Sequence, residues 1–178
     1  MRLHSIGVVV AGVILSCVPN ARAQVAMYGE ATGANLQVKS APHTYGGTFG
    51  IYDQKPVGMF ALGLDVRVGL TKRGGTGPFT DAALDMGQFG ARVAVTPWKL
   101  PLKPYAEALV GPAYWRGGLS VTRNDGGHFL MQAVAGLDYA ILPQVQWRVA
   151  EFSYGRMGGV PNFVSPETLS SGIVLVLK

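Results

Sequence analysis

Seven charged side chains fall on the small or polar face of segments whose residues alternate in hydropathy: Glu30, Asp65, Arg67, Arg92, Glu107, Asp138 and Arg148. Glu151 joins them if the parity of its segment shifts. Carboxylates in pairs, such as Asp65 and Glu107, are the groups of general acid–base work. Charges of both signs along a lumen would offer small solutes a pathway. A structural role is the third reading. Charges enclosed by a closed sheet neutralise one another, because a buried charge without a partner is costly. The interior of an eight-stranded barrel is just wide enough for side chains to fill, so the packing argument favours a plug of paired charges.

Other reactive residue types are sparse. His43 lies in a long polar stretch and His128 opens an extended segment. Two histidines without a cysteine beside them make a poor zinc set, and no metal or cofactor is expected. Gly74-Gly75-Thr76-Gly77-Pro78 lacks the Lys-Ser or Lys-Thr of a phosphate loop. It reads as a loop tip. Lys72, Arg73, Arg116, Arg123 and Arg156 lie at the bases or tips of polar stretches and could meet phosphates. The acidic Asp81, Asp125 and Glu167 nearby make ordinary solvated loop charge the plainer account.

The elements that must position these residues announce themselves by period-two alternation. From Phe60 to Thr71, Phe60, Leu62, Leu64, Val66, Val68 and Leu70 share one face, and Ala61, Gly63, Asp65, Arg67, Gly69 and Thr71 the other. Gln88–Val95, Phe129–Ile141 and Tyr45–Tyr52 repeat the pattern. Val25–Ala34, Tyr105–Trp115, Val145–Tyr154 and Leu169–Leu177 complete eight candidate strands. Most reach the 9–11 residues that a tilted strand needs to cross a bilayer. Short connections at Asp53–Pro56, Thr96–Pro104 and Leu142–Gln144 alternate with longer ones at Asn35–Thr44, Lys72–Ala83, Arg116–Gly127 and Arg156–Thr168. That sorting is expected of an outer-membrane barrel, with tight turns at one end and long loops at the other. Pro112 falls inside the fifth candidate strand, so a bulge is expected there, or an end near Gly111. Tyr28, Tyr45, Phe60, Trp98, Tyr105, Trp115, Tyr139 and Trp147 lie near strand ends and suit aromatic girdles at the two interfaces.

Compartment follows from residues 1–23. Arg2 precedes an apolar run from Ile6 to Val18, which is too short to span a bilayer as a helix, and Ala21-Arg22-Ala23 forms a small-x-small cleavage site. Residues 1–23 therefore read as a signal peptide and 24–178 as one exported barrel domain. Ile14-Leu15-Ser16-Cys17 is a poorer match to a lipoprotein box. Arg2 and Arg22 leave with the leader, so 15 basic residues become 13 against 10 acidic ones, a net +3. Such a balance gives no argument for nucleic acid. Cys17 is the chain's 1 cysteine, so the exported part has no disulfide. Charged residues make up 14% of the chain, against roughly a quarter in soluble domains. The soluble alternative is a periplasmic lipocalin-like barrel that binds apolar ligands. It places Leu62, Leu64, Val66 and Val68 inside and Asp65 and Arg67 outside. The membrane barrel does the reverse.

Gly136-Leu137-Asp138-Tyr139-Ala140-Ile141-Leu142-Pro143 followed by Val145-Gln146-Trp147-Arg148-Val149-Ala150-Glu151-Phe152-Ser153-Tyr154 resembles the penultimate hairpin of small outer-membrane β-barrel domains of the OmpA/opacity type. Pro104-Tyr105-Ala106-Glu107-Ala108-Leu109-Val110-Gly111 resembles their mid-barrel strand. The resemblance covers essentially all of 24–178. It implies an eight-stranded antiparallel up-and-down transmembrane barrel in the outer membrane. Its implied partners are outer-membrane lipids and lipopolysaccharide, the barrel-assembly machinery, and a surface partner met through residues 72–83, 116–127 and 156–168. Family members serve as adhesins, structural anchors, narrow pores and occasional lipid A-modifying enzymes. No His-x-Ser-Asn segment matches the enzymes, so a non-enzymatic role is expected. Family members usually end on an aromatic residue, whereas this chain ends Val176-Leu177-Lys178. No peptidoglycan-binding domain follows the barrel, so a wall-tethering role is not expected.

Overall fold

The alternating segments form eight strands: β1 (Gln24–Asn35), β2 (His43–Val57), β3 (Phe60–Arg73), β4 (Ala82–Val95), β5 (Leu102–Gly117), β6 (Asn124–Leu142), β7 (Val145–Gly158) and β8 (Glu167–Leu177). The structure, a computed structural model, describes residues 24–36, 43–73, 82–95, 100–117, 124–158 and 165–177. The expected signal peptide, Trp98 and Arg123 lie outside the described residues. Each strand pairs antiparallel with the next, and β8 pairs with β1, closing the sheet. Closure satisfies every strand edge, the condition for a sheet to stand in hydrocarbon.

The strands run further than alternation alone marks. The β2–β3 turn is Gly58-Met59, not Asp53–Pro56, and Gly58 carries the left-handed φ of 65° that a tight turn favours. At the other end, His43, Lys72, Ala83, Arg116 and Arg156, all placed in loops by the sequence, are paired in the ladder. His128 lies within β6 and does not open it. Pro112 neither ends β5 nor forces a bulge. Met86↔Ala113 and Phe89↔Val110 keep one register across it, and only the intervening pairs with β4 are missing. The lost donor is thus confined to one side of the strand, while Pro112 still pairs with Phe129 of β6.

Which face points outward is settled by β3. Leu64 is 67% exposed and Asp65 is fully buried. Leu62 and Val68 are exposed, and Arg67 is buried. This is the reverse of what a soluble barrel with an apolar interior requires, so that alternative fails. Phe49, Ile51, Phe89, Met131, Phe152, Leu169, Ile173 and Leu175 extend the same apolar exterior around the sheet. A bilayer supplies the solvent that such a surface needs.

One irregularity matters for the interior. The register of β7 shifts between Arg148 and Glu151 against β8, and that of β6 between Leu137 and Asp138 against β7. An extra residue in β7 at Val149-Ala150 lets Arg148 and Glu151, three apart, both face inward.

Candidate functional site

The seven charged residues singled out by alternation, and Glu151 with them, are buried inside the barrel, each at 5% exposure or less. They converge from six strands. Arg67 bonds Asp65 at 2.9 Å and Glu151 at 2.6 Å, and also holds Glu107. Arg92 bonds Glu107 and reaches Asp138 at 3.0 Å. Arg148 bonds Asp138 at 2.9 Å, Glu151 at 3.0 Å and Glu30. The result is one connected network and not a set of separate pairs. Arg67 and Glu151 tie β3 to β7 across the lumen, and Arg148 and Glu30 tie β7 to β1.

Three guanidiniums face five carboxylates, so the arginines cannot serve every carboxylate singly. Each is shared, and neutral donors help: the Tyr28 hydroxyl donates to Asp65 at 3.0 Å and the Tyr105 hydroxyl to Glu151 at 2.6 Å. The same rings offer their faces to the cations. The Arg92 guanidinium carbon sits 3.7 Å from the Tyr105 centroid and 4.2 Å from that of Tyr52; the Arg148 carbon is 4.2 Å from that of Tyr28. Such contacts strengthen when desolvated. The rings need room, and glycine provides it. A Cβ on Gly50 would collide with the Tyr28 ring, and one on Gly136 with the Tyr105 ring.

Tyr28, Tyr105 and Trp115 therefore are not girdle residues. They lie inside, at 5% exposure each. Tyr28 is two residues from Glu30 and Tyr105 two from Glu107, and strand geometry puts such residues on one face. Tyr45, Phe60, Tyr139 and Trp147 do face outward near the ends of the apolar band.

Towards the loop end the interior changes character. Above the ion network comes a belt of hydroxyls and amides. Thr32 bonds Thr48 and Ser170, and Gln132 donates to Ser153, which bonds Thr168. Above that belt the lumen is mainly apolar, with Thr44 donating to Thr71 at 2.9 Å as a buried polar pair beside it. Ala34, Leu36, Ala82, Leu84, Met86, Ala113, Trp115, Leu130 and Met157 form one buried cluster across the mouth. Sequence reasoning missed this cap. At the same height the exterior turns polar, with His43, Lys72, Asp85, Arg116, Arg156 and Glu167. Arg116 bonds Asp85 at 2.6 Å there. The contrast thus shifts along the axis: in the barrel body an apolar exterior surrounds the ion network, and towards the loop end charged residues lie outside and the apolar cluster inside. Strand length permits this. The 14 residues of β3 rise about 46 Å at ~3.3 Å each, or about 35 Å along the axis at a tilt near 40°, against an apolar band of ≈ 25 Å.

Neither histidine completes a catalytic set among the described residues. His43 is exposed on the outer rim, His128 lines the mouth from the inside, and neither is hydrogen-bonded to a serine or aspartate there. No cluster of metal-ligating side chains occurs among the described residues.

The sequence matches no family model and no curated protein. Solved structures do match in shape. Neisserial surface protein A superposes with a TM-score of 0.55 at 16% identity, over 86% of this chain and 96% of that one. Ail, the attachment invasion locus protein of Yersinia pestis, gives 0.56 at 11% identity over 87% and 97%. The fold is that of the small outer-membrane β-barrels. A major outer membrane protein from Thermus thermophilus shares it as well, with a TM-score of 0.55 at 10% identity over 88% and 100%. At such identities the likeness speaks for the fold alone.

Proposed function

We propose that this protein is a non-enzymatic, non-conducting barrel of the outer membrane, with a structural or surface-interaction role carried by its outer end. The observation behind this reading is the double seal of the lumen. The ion network ties opposite walls together in the membrane, and the cap around Trp115 and Met157 closes the mouth above it. A solute would have to break buried, shared ion pairs and then cross a packed, mainly apolar layer. Both are expensive, which argues against the narrow-pore alternative. The acid–base reading of Asp65 and Glu107 fares no better, since both carboxylates are held by Arg67 and buried away from any substrate.

What the barrel then offers its surroundings is an outer rim. The strands carry on past the apolar band and present His43, Lys72, Asp85, Arg116, Arg156 and Glu167 on the barrel's outside. Outer-leaflet lipids including lipopolysaccharide, and a surface partner reached through 72–83, 116–127 and 156–168, are the proposed contacts. The assembly machinery is the proposed partner during insertion. Ail is by its name an attachment protein, a role of this kind on a similar frame. Planar-bilayer recording on the refolded protein tests the seal. Quiet membranes are expected at protein loads where an open barrel conducts. Steady single-channel steps would refute the reading.

A further inference from the structure

On the exterior, just below the polar rim, the ladder places Phe152, Leu169, Gly33 and Tyr45 side by side across β7, β8, β1 and β2. Three bulky apolar side chains and one glycine leave a notch. The groove there has a volume of about 260 Å³, with Asn35, His43 and Glu167 along its upper edge. Gly33 forms its floor: a Cβ there would touch the Tyr45 ring at 3.7 Å and clash with nothing. Lys72 pairs with Tyr45 on the side away from Gly33, exposed at the same height.

We infer that this groove seats one acyl chain of an outer-leaflet lipopolysaccharide molecule. The inference rests on the proposed outer-membrane placement. Its position carries the argument. The notch opens sideways into the apolar band and ends upward among polar side chains, so its occupant must be apolar below and polar above. A lipid of the surrounding leaflet has that polarity by default. The volume falls below the 300–1,000 Å³ of ordinary small-molecule pockets, enough for a chain but not for a glycolipid headgroup. The headgroup stays outside, where His43 and Lys72 stand as diagonal cross-strand neighbours on either side of the rim above Tyr45. A phosphate is the group two such side chains suit. Lipopolysaccharide carries phosphate next to several chains and occupies the leaflet that the loop end faces.

Native mass spectrometry of the full barrel tests this, with rough-type lipopolysaccharide and phosphatidylethanolamine offered in equal amounts in one detergent. The wild-type chain is expected to retain lipopolysaccharide preferentially. Gly33→Leu fills the groove from within and should lower that retention about tenfold, what the lost burial of two methylenes amounts to. Ala91→Leu, an exposed site on β4 in the opposite wall, should leave it unchanged. Equal retention by Gly33→Leu and wild type overturns the groove, and equal retention of the two lipids overturns the choice of ligand. The heat-dependent gel shift of each sample separates these failures from the larger one: a chain without the shift has not formed the membrane barrel, and the proposed placement falls with the inference.

Discussion

Replacing Arg148 with methionine is the sharpest perturbation of the interior. Arg148 is fully buried and bonds three carboxylates, Asp138, Glu30 and Glu151, from three strands. It also stacks on Tyr28 and Tyr105. Methionine keeps much of the volume and none of the charge. The five interior carboxylates would then face two arginines in place of three, and Glu30 would lose the one cation it touches. Removing one partner of a buried ion pair costs about 3–5 kcal/mol, because the other charge is left uncompensated. Loss of two ring contacts adds to this, so Arg148→Met should fall at the upper end of that range. Arg116→Met is the built-in control. Its pair with Asp85 is partly solvated at the rim, and such pairs contribute about 0–1 kcal/mol. Urea titration in lipid vesicles, read by the fraction of folded barrel on an unboiled gel, measures both. The double variant Arg148→Met with Glu30→Gln should recover part of the loss, since it removes an orphaned charge. If Arg148→Met and Arg116→Met cost the same, or if the single variant loses less than about 1 kcal/mol, the network is not holding the walls together and the reasoning fails.

Other outcomes follow from the same structure. Trp115→Ala removes the largest side chain of the mouth cluster and should cost about 3–5 kcal/mol in the same titration. A near-neutral result would mean that the cap is not packed. Gly136→Val drives a side chain into the Tyr105 ring and should cost about 1–3 kcal/mol by overpacking, while Gly127→Val, at an exposed glycine with nothing near its Cβ, should cost far less. Val66→Arg, outward near the middle of β3, should cost about 2–4 kcal/mol, and Leu70→Arg, beside the outer girdle, about 0–1 kcal/mol. Equal costs would place the apolar band elsewhere.

Much of this architecture is written in alternation, and where alternation fades there is a physical cause. β3 reads clearly because its outside is apolar and its inside is small or charged along its middle. β4 was legible only from Gln88 on. Earlier, at Ala82–Gly87, the interior has become apolar at Leu84 and Met86 while the exterior holds Ala83 and Asp85. The usual contrast is reversed and a search for apolar-out strands passes over it. Leu130 and Met157 were hidden in the same way, and only the register brings them to one mouth. Tyr28 and Tyr105 were misplaced for another reason. Aromatic residues near strand ends suggest a girdle, yet both share parity with a buried glutamate, and parity should have outweighed the residue type. Glu151 depended on a bulge whose position no local signal fixes: Val149-Ala150 carries neither glycine nor proline. The pairing of the charges was legible as a balance of signs. Which arginine meets which carboxylate was not, since partners such as Arg148 and Glu30 lie 118 residues apart.

The most direct measurement of the central claim is fractionation of the expressing cell followed by boiled and unboiled lanes on a denaturing gel. Recovery in the outer membrane with a heat-dependent mobility shift is the predicted result, because a closed sheet stapled by buried ion pairs resists detergent until heated. Recovery as a soluble periplasmic protein without the shift would contradict it.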